Sequence, residues 1–417
     1  MAVVVALGAC VKHNPGITGT QSLAIDVVTP SDTGSVVSRL PDTERTITIN
    51  VTAIGPDDQT DTTYNNQLQV YVLYLGTLSP YLGAPPLQTI QMVNGEAMNQ
   101  TITLPAVFGP TSIWLDDGAD SEPTYATGTS QTLWYRDPLI ADIQAPPNES
   151  AIDALTNSPL DNKNVAVNAS RYGANGRLVI TSVYAQGYTL ADVNCADANG
   201  TPPCVSGPYD YMDVFSYSAP EDQNSHFVAE GEVIGGFAGG INEFDGLTEI
   251  GFPQTFVNLG LDPNTPPVVN TALEPAPVVV DTDSASPTYW FGAVQDLPGH
   301  GTGPSASGIE FERNESGPIE VDNAVVCNLD SNYTTYNQWE LDPAGIGGDC
   351  STNKNIISVI TAGVVQFDPT GCVGKTLPKV VGIVRPINIG SFNVWIVYPR
   401  SAADLTLPVG DSTCKVQ

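Results

Sequence analysis

Leu178-Val179-Ile180-Thr181-Ser182-Val183, then Tyr188-Thr189-Leu190-Ala191-Asp192-Val193 and Met212-Asp213-Val214-Phe215-Ser216-Tyr217, begin a series of β-patterned runs that ends at Pro253. Gly231 to Phe237 and Leu247 to Phe252 complete the series. Each run has the length of a strand, and turn residues separate the runs. Glycines at 235, 236, 239 and 240 permit the sharp coiling a small barrel needs, and Asp245-Gly246 suits a tight turn before the last strand. The stretch reads as a small β-barrel. A second, more interrupted copy of the pattern lies between Gly308 and Leu405, so the chain is expected to carry a tandem of barrels.

Outward from this stretch, 417 residues allow two or three domains, each able to bury a core. Gly 39 and Pro 34 serve short strands and tight turns, and no long helical period appears, so the expected fold class is all-β. Against 14 Lys+Arg stand 45 Asp+Glu, a net charge of −31 with the acids scattered through loops. Such a surface repels phosphate backbones, which makes nucleic acid a poor partner, and it keeps secreted proteins soluble and apart.

Of seven cysteines, Cys10 stands alone near the start. The other six allow many pairings, and loop-closing neighbours favour Cys195 with Cys204, Cys327 with Cys350, and Cys372 with Cys414 in an oxidising compartment. Clustered Cys or His spacing of a metal site is missing, so neither a metal nor a cofactor is expected. Leu7-Gly8-Ala9-Cys10 resembles the bacterial lipobox, which implies that residues 1–9 are a signal peptide, shorter than usual and without Lys or Arg before its apolar run. The resemblance makes Cys10 a lipidated N-terminus that anchors the protein to a membrane. Val11 rather than Asp after it favours the outer membrane by likeness to lipoprotein sorting rules. The expected address is extracytoplasmic, at the outer membrane or cell surface.

Beyond a tether at 10–21, Thr46-Ile47-Thr48-Ile49-Asn50-Val51-Thr52 alternates as a strand with one solvated face does. Leu68 to Leu75 is apolar on both faces and suits a central strand; Thr101 to Leu104, Ser112 to Leu115 and Gln131 to Tyr135 add further strands. Residues 22–144 are expected to form an immunoglobulin-like β-sandwich, without a cysteine pair to support it. The acids Asp57, Asp58 and Asp61, then Asp116, Asp117, Asp120 and Glu122, and Asp330-Ser331-Asn332 lack the spaced ladder of a calcium loop and read as solvated turns. Ala145-Pro146-Pro147-Asn148 reads as a linker, which puts the two barrels at 145–267 and 268–417.

The order of runs between Val165 and Pro253 is similar to the oligonucleotide/oligosaccharide-binding (OB) barrel, and the runs themselves resemble OB-like modules of bacterial secreted nucleases. Leu273-Glu274-Pro275-Ala276-Pro277-Val278 resembles the connector between such modules. Gly308 to Glu312 with Ile319 to Val325 resembles the opening strand of the second module. Its end, Phe392 to Asp404, carries the Pro-Arg-Ser-x-x-Asp ending as Pro399-Arg400-Ser401 and Asp404. The catalytic domain of those nucleases finds no counterpart up to Gln417, so the resemblance carries no nuclease activity. The layout looks more like myxobacterial-type surface lipoproteins: a sandwich, two OB-like barrels and no enzyme.

His13, His226 and His300 have no evident sequence partners, and Ser305 and Ser307 do not form a Gly-x-Ser-x-Gly elbow. A carbohydrate hydrolase needs two carboxylates converging in a pocket, which the sequence alone does not single out. OB barrels stack ligands on aromatics of strands two and three, which here points to Tyr188, Phe215 and Tyr217, with Tyr209 and Tyr211 beside them. Alternation puts Phe215 and Tyr217 on one side, either core or platform, with core the commoner use. Tyr289-Trp290-Phe291 reads as interdomain packing in a connector rather than a ligand cage, and Trp339, Tyr333 and Tyr336 are the matching aromatics of the second barrel. The expected function is a non-enzymatic, lipid-anchored scaffold that binds protein or polysaccharide at the cell surface. The alternative is a nucleic-acid-binding component of an extracellular nuclease system.

Overall fold

The computed structural model describes residues 19–74, 85–105, 107–118, 126–146, 157–257, 267–291, 309–350, 355–361, 367–389 and 392–416. Cys10, His13, Asp120, Glu122, Asn148, His300, Ser305 and Ser307 lie outside them. The chain is all-β and divides into two compact units, one ending at Arg136 and one beginning at Asp137. Among the described residues no helix is long and apolar enough to cross a membrane.

The first unit contains β1 (Ser22–Thr29), β2 (Thr46–Ile54), β3 (Gln67–Tyr74), β4 (Gln88–Gln91), β5 (Glu96–Thr103), β6 (Pro110–Asp116), β7 (Thr127–Thr129) and β8 (Leu133–Trp134). They form two sheets, β1-β2-β5 and β4-β3-β6-β7, with β8 also on β6. Strict alternation along β2 buries Ile47, Ile49, Val51 and Ala53 completely, against Leu68 and Val70 of β3 and Ile113 and Leu115 of β6. Two sheets thus share one core. The acids expected in solvated turns do local work there. Asp61 Oδ1 accepts from the Thr63 amide at 3.0 Å, and Asp116 Oδ1 accepts from the Gly118 amide at 2.6 Å.

The second unit opens with the short helix α1 (Ile140–Gln144) and continues through β9 (Asn164–Val167), β10 (Gly176–Tyr184), β11 (Gly187–Asn194), β12 (Tyr211–Phe215), β13 (Val233–Ile234), β14 (Gly236–Phe244) and β15 (Leu247–Phe256). Their order in the sheet is β13-β10-β11-β12-β15-β14-β9, antiparallel except for the parallel pair β12/β15. Asp245 and Gly246, at φ 52° and 85°, make the expected tight turn between β14 and β15. Then come β16 (Val278–Val279), α2 (Ile309–Arg313), β17 (Pro318–Val326), α3 (Ser331–Tyr336), β18 (Gln338–Asp342), β19 (Ile357–Ile360), β20 (Thr376–Ile389), β21 (Phe392–Tyr398) and β22 (Leu405–Thr406). Here β17-β18-β19-β21-β20 repeats the order of β10-β11-β12-β15-β14, again with one parallel pair, β19/β21. This repeat fits two OB-like barrels.

The copy that is more interrupted in sequence is the one that closes. Its long β20 pairs with β17 from Thr376 to Ile383 and with β21 from Ile383 onward, so one strand joins both edges. In the first barrel, Gly235 separates β13 from β14, and β10 meets that edge through Gly231 to Ile234, leaving a half-barrel. Ile309 to Glu312, read from sequence as part of an opening strand, lie in α2 instead, with Phe311 buried against Trp290 at 4.8 Å and Trp395 at 5.8 Å. The Tyr289-Trp290-Phe291 knot, expected to pack between domains, instead gives Trp290 and Phe291 to the core of the second barrel with Tyr289 against it.

Three disulfides staple loops, Cys195–Cys204, Cys327–Cys350 and Cys372–Cys414, the neighbouring pairs that spacing favours. Two arginines of the second barrel lock it to the first. Arg400 donates to the Thr181 carbonyl at 2.9 Å, Glu230 at 2.8 Å and Glu274 at 3.2 Å, while Asp404 holds its other nitrogens at 3.1 Å. The Pro-Arg-Ser-x-x-Asp ending thereby has a physical role: Asp404 orients the guanidinium, and Ser401 caps the turn between them by accepting from the Ala403 amide at 3.2 Å. Arg385 lies 3.6 Å from Asp213 and over the rings of Tyr184 and Tyr398. Gly317 faces the Tyr211 ring so closely that a Cβ there would sit 2.6 Å from it.

Candidate binding groove on the first barrel

On the first barrel a groove of about 510 Å³ runs beside the end of β12. Its base is Tyr188 and Thr255, whose hydroxyls bond each other at 2.6 Å, and its walls include Ser216, Ser218, Glu221 and Phe227. Two local irregularities expose large rings next in the chain to lining residues. After β12 stops at Phe215, Tyr217 takes left-handed backbone at φ 59°, which turns its ring outward between Ser216 and Ser218. Across the antiparallel pair β14/β15, Gly240 matches Gly251 and Ala238 matches Gln254, so Phe252 and Pro253 together oppose the single Gly239. This is a β-bulge, a device that re-aims a side chain. It sets Phe252 at φ 51° and leaves its ring 80% exposed.

The outcome is an aromatic ridge. Phe215 meets Tyr217 edge-on with centroids 4.4 Å apart, and Tyr217 meets Phe252 at 4.9 Å with their planes tilted by 32°. Phe215 is half-buried, Tyr217 is 54% exposed, and Phe227 on the wall is 66% exposed. Bulky residues with positive φ are outliers that strain the chain, and such strain gathers at ligand clamps.

Of the aromatics expected on this face, the structure brings Phe215 and Tyr217 together, outside the groove lining. Tyr188 is fully buried with its hydroxyl bonded, and Tyr209 is buried where its amide bonds the Arg313 carbonyl at 2.7 Å. Neither is a stacking platform. In the second barrel Trp339 is core and Tyr333 bonds Asp368 at 3.2 Å, which leaves only Tyr336 of the expected trio exposed. Phe252 and Phe227 were not singled out from sequence. The signal for Phe252 was present: a proline directly after it, inside a strand, marks a bulge.

His226 does have a partner. Its Nδ1 lies 3.3 Å from Asp222 Oδ2, and Asp222 Oδ1 also accepts from the amides of Asn224 at 2.7 Å and His226 at 3.0 Å. This pair pins the loop that carries Glu221 and Phe227 to the groove. The buried Glu232 beside it accepts from the Ala229 amide at 3.0 Å, and burial raises its carboxyl above the usual range.

Acids that sequence reading placed at a solvated surface are in part buried. Asp210 receives Tyr172, the Gly207 amide and Arg171 at 2.6, 2.6 and 2.8 Å, and burial still pushes it up to about 6. At the barrel junction, burial and then the charge of Asp213 push Glu249 up to about 7. Glu274 is pushed to about 7 by burial and by Glu230. Buried Glu315 accepts from the Thr248 amide at 3.0 Å, and burial, then the charge of Glu312, holds its carboxyl well above the usual range. Among the described residues no group of three or more His, Cys, Asp or Glu is placed to hold a metal ion. The groove lining holds one carboxylate, Glu221.

No protein-family model, no curated protein and no solved structure matches this chain. The geometry of the groove therefore carries the functional reading.

Proposed function

We propose that the protein is a non-enzymatic binding or assembly scaffold, held at the outer-membrane surface by a lipid on Cys10, with the groove of the first barrel as its binding surface. In this reading the first unit is an immunoglobulin-like spacer, and the tandem barrels share ancestry with the modules of secreted nucleases without their chemistry. The observation that carries it is the ridge: two large exposed rings, Tyr217 and Phe252, are held in contact on strained backbone, each next in the chain to a residue that lines a polar groove. A fold gains little from exposing them there, whereas a ligand gains a stacking surface.

The test is binding of the full chain to isolated cell envelopes, compared with a Phe215→Ala, Tyr217→Ala, Phe252→Ala triple variant of unchanged thermal stability. The reading expects binding to disappear in the variant; equal binding by both would sink it. Palmitate labelling of the full chain, lost in Cys10→Ala, tests the anchor. The ridge also suits stacked bases, which favours a nucleic-acid-binding component as the second reading. A salt-dependent mobility shift of single-stranded DNA by the full chain would replace the first reading with the second.

A further inference from the structure

We propose that His226, Asp222 and Glu232 form a proton-operated latch on the strap of residues 218–232, shut while the imidazole is charged and released as pH rises and that charge is lost. The strap bridges the broken seam of the first barrel. On one side the Gln223 amide bonds the Thr255 carbonyl of β15 at 2.9 Å; on the other, Gly231 and Glu232 exchange backbone bonds with Ile180 of β10 at 2.8 and 2.9 Å. Between these ties the strap folds on itself, with the Asp222 amide on the His226 carbonyl at 2.8 Å and the Val228 amide on the Pro220 carbonyl at 3.1 Å. Ser218, Pro220, Glu221 and Phe227 belong to it and line the groove, so the groove is complete only while the strap is down.

Two carboxylates are buried beneath the strap, and each keeps an oxygen in reserve. Asp222 Oδ1 takes the amides of Asn224 and His226, and Glu232 Oε2 takes the amide of Ala229. The other oxygens, Asp222 Oδ2 and Glu232 Oε1, are buried without a hydrogen-bond partner. An ionised carboxylate in such a place is costly unless a proton or an opposite charge meets it. His226 supplies that charge: its Nδ1 lies 3.3 Å from Asp222 Oδ2, and its own charge also acts on Glu232. The three groups are not placed as metal ligands, which leaves the proton as the species that neutralises them. With 29% of its side chain exposed, His226 can trade that proton with solvent.

The surrounding groups leave the task to the imidazole. Tyr188 faces Glu232 from β11, and burial raises its phenol, so it stays neutral and bonds Thr255. Glu230, two residues before Glu232, is turned onto Arg400, whose other partners are Glu274 and Asp404. Burial, and after it the charge of Asp222, hold the Glu232 carboxyl above the usual range, against the Ala229 amide and His226, which draw it down. With the folded value the higher one, its contribution is complete below the unfolded value of about 4.3 and is lost as pH climbs through the folded one. Loss of the imidazole charge acts in the same direction, because it leaves two buried anions facing each other. Histidine ordinarily changes charge between about pH 5 and 8, which sets the window.

The experiment is hydrogen exchange of the full chain at pH 5 and pH 8, each amide divided by its intrinsic rate at that pH. Protection of the Gln223, Val228 and Ile180 amides is expected to fall about tenfold or more from pH 5 to pH 8, while the Val326 and Val384 amides of the second barrel change far less. Glu232→Gln keeps the shape and removes one buried charge, so the strap should stay protected at pH 8. His226→Gln removes the cation and should leave the strap as open at pH 5 as the parent is at pH 8. The latch is overturned if strap protection in the parent is the same at both pH values, if Glu232→Gln leaves the response intact, or if Val326 and Val384 lose protection in step with the strap. Should His226→Gln fail to fold, Glu232→Gln decides by itself. None of these readouts needs a ligand, so the latch stands or falls apart from what the groove binds.

Discussion

The phenol of Tyr217 leans on the ring of Phe252, 4.9 Å between centroids, and both residues hold this contact from left-handed backbone. Such conformations cost about 1–3 kcal/mol each for a bulky residue, and glycine adopts them freely. Phe252→Gly is therefore expected to raise stability in urea unfolding by about 1 kcal/mol while abolishing retention of ligand. A loss of stability instead would mean that the ring supports the fold.

Arg400 gathers Glu230, Glu274 and Asp404 around one guanidinium whose side chain is 17% exposed. Removing it leaves the carboxylates facing one another, so Arg400→Ala should destabilise the tandem by about 3 kcal/mol. Arg400→Lys keeps the charge without the planar fork and should recover only part of that loss. Guanidinium unfolding of the full chain measures both, and a neutral Arg400→Ala would show that the barrels do not depend on this clamp.

Stability should fall as pH rises through neutrality. Glu249 and Glu274 are held at about 7 in the fold, whereas an unfolded glutamate titrates near about 4.3. With the folded value the higher one, the contribution of each is complete below about pH 4.3 and is lost as pH climbs through about 7. The melting temperature is expected to be higher at pH 5 than at pH 8, and Glu249→Gln should flatten that difference. A melting temperature that climbs from pH 5 to pH 8 in the parent chain would contradict this.

The three disulfides close loops of separation 9, 23 and 42. Chain-entropy arguments give about 2.6, 3.4 and 4 kcal/mol in that order. Replacing Cys372 and Cys414 together by serine should therefore cost more than replacing Cys195 and Cys204, as read from denaturation midpoints of the paired variants. The reverse order would show that native contacts, rather than loop length, set their worth.

The fold was legible wherever one rule sufficed. Thr46 to Thr52 alternated and β2 alternates; Asp245-Gly246 asked for a turn and makes one; neighbouring cysteines paired. Legibility failed where tertiary packing outweighed a local pattern. Ile309 to Glu312 looked like strand, but Phe311 is drawn between Trp290 and Trp395, partners far along the chain, and the segment coils into α2. Alternation placed Phe215 and Tyr217 on a common side and did not decide whether that side faced water. The answer depends on the chain leaving β12 at Phe215 and on a bulge opposite Gly239, neither of which changes the hydrophobic pattern. Tyr188, expected among the stacking aromatics, is instead buried with its hydroxyl on Thr255, and Phe252 is exposed where the bulge turns it out.

The seam of the first barrel gives it a different temperament from its twin. In the second barrel a ladder from Pro318↔Ile383 to Val325↔Thr376 shuts the ring. In the first, Leu178↔Ile234 and Val179↔Val233, with the bond from the Ile180 amide to Glu232, form a short zip beside the break at Gly235. Unzipping it is a local excursion that leaves the rest of the unit folded. The groove-bearing barrel can thus breathe against a rigid neighbour. Deuterium should enter the Ile180 amide well before those of Val321 and Val380, and an occupant of the groove should slow that entry.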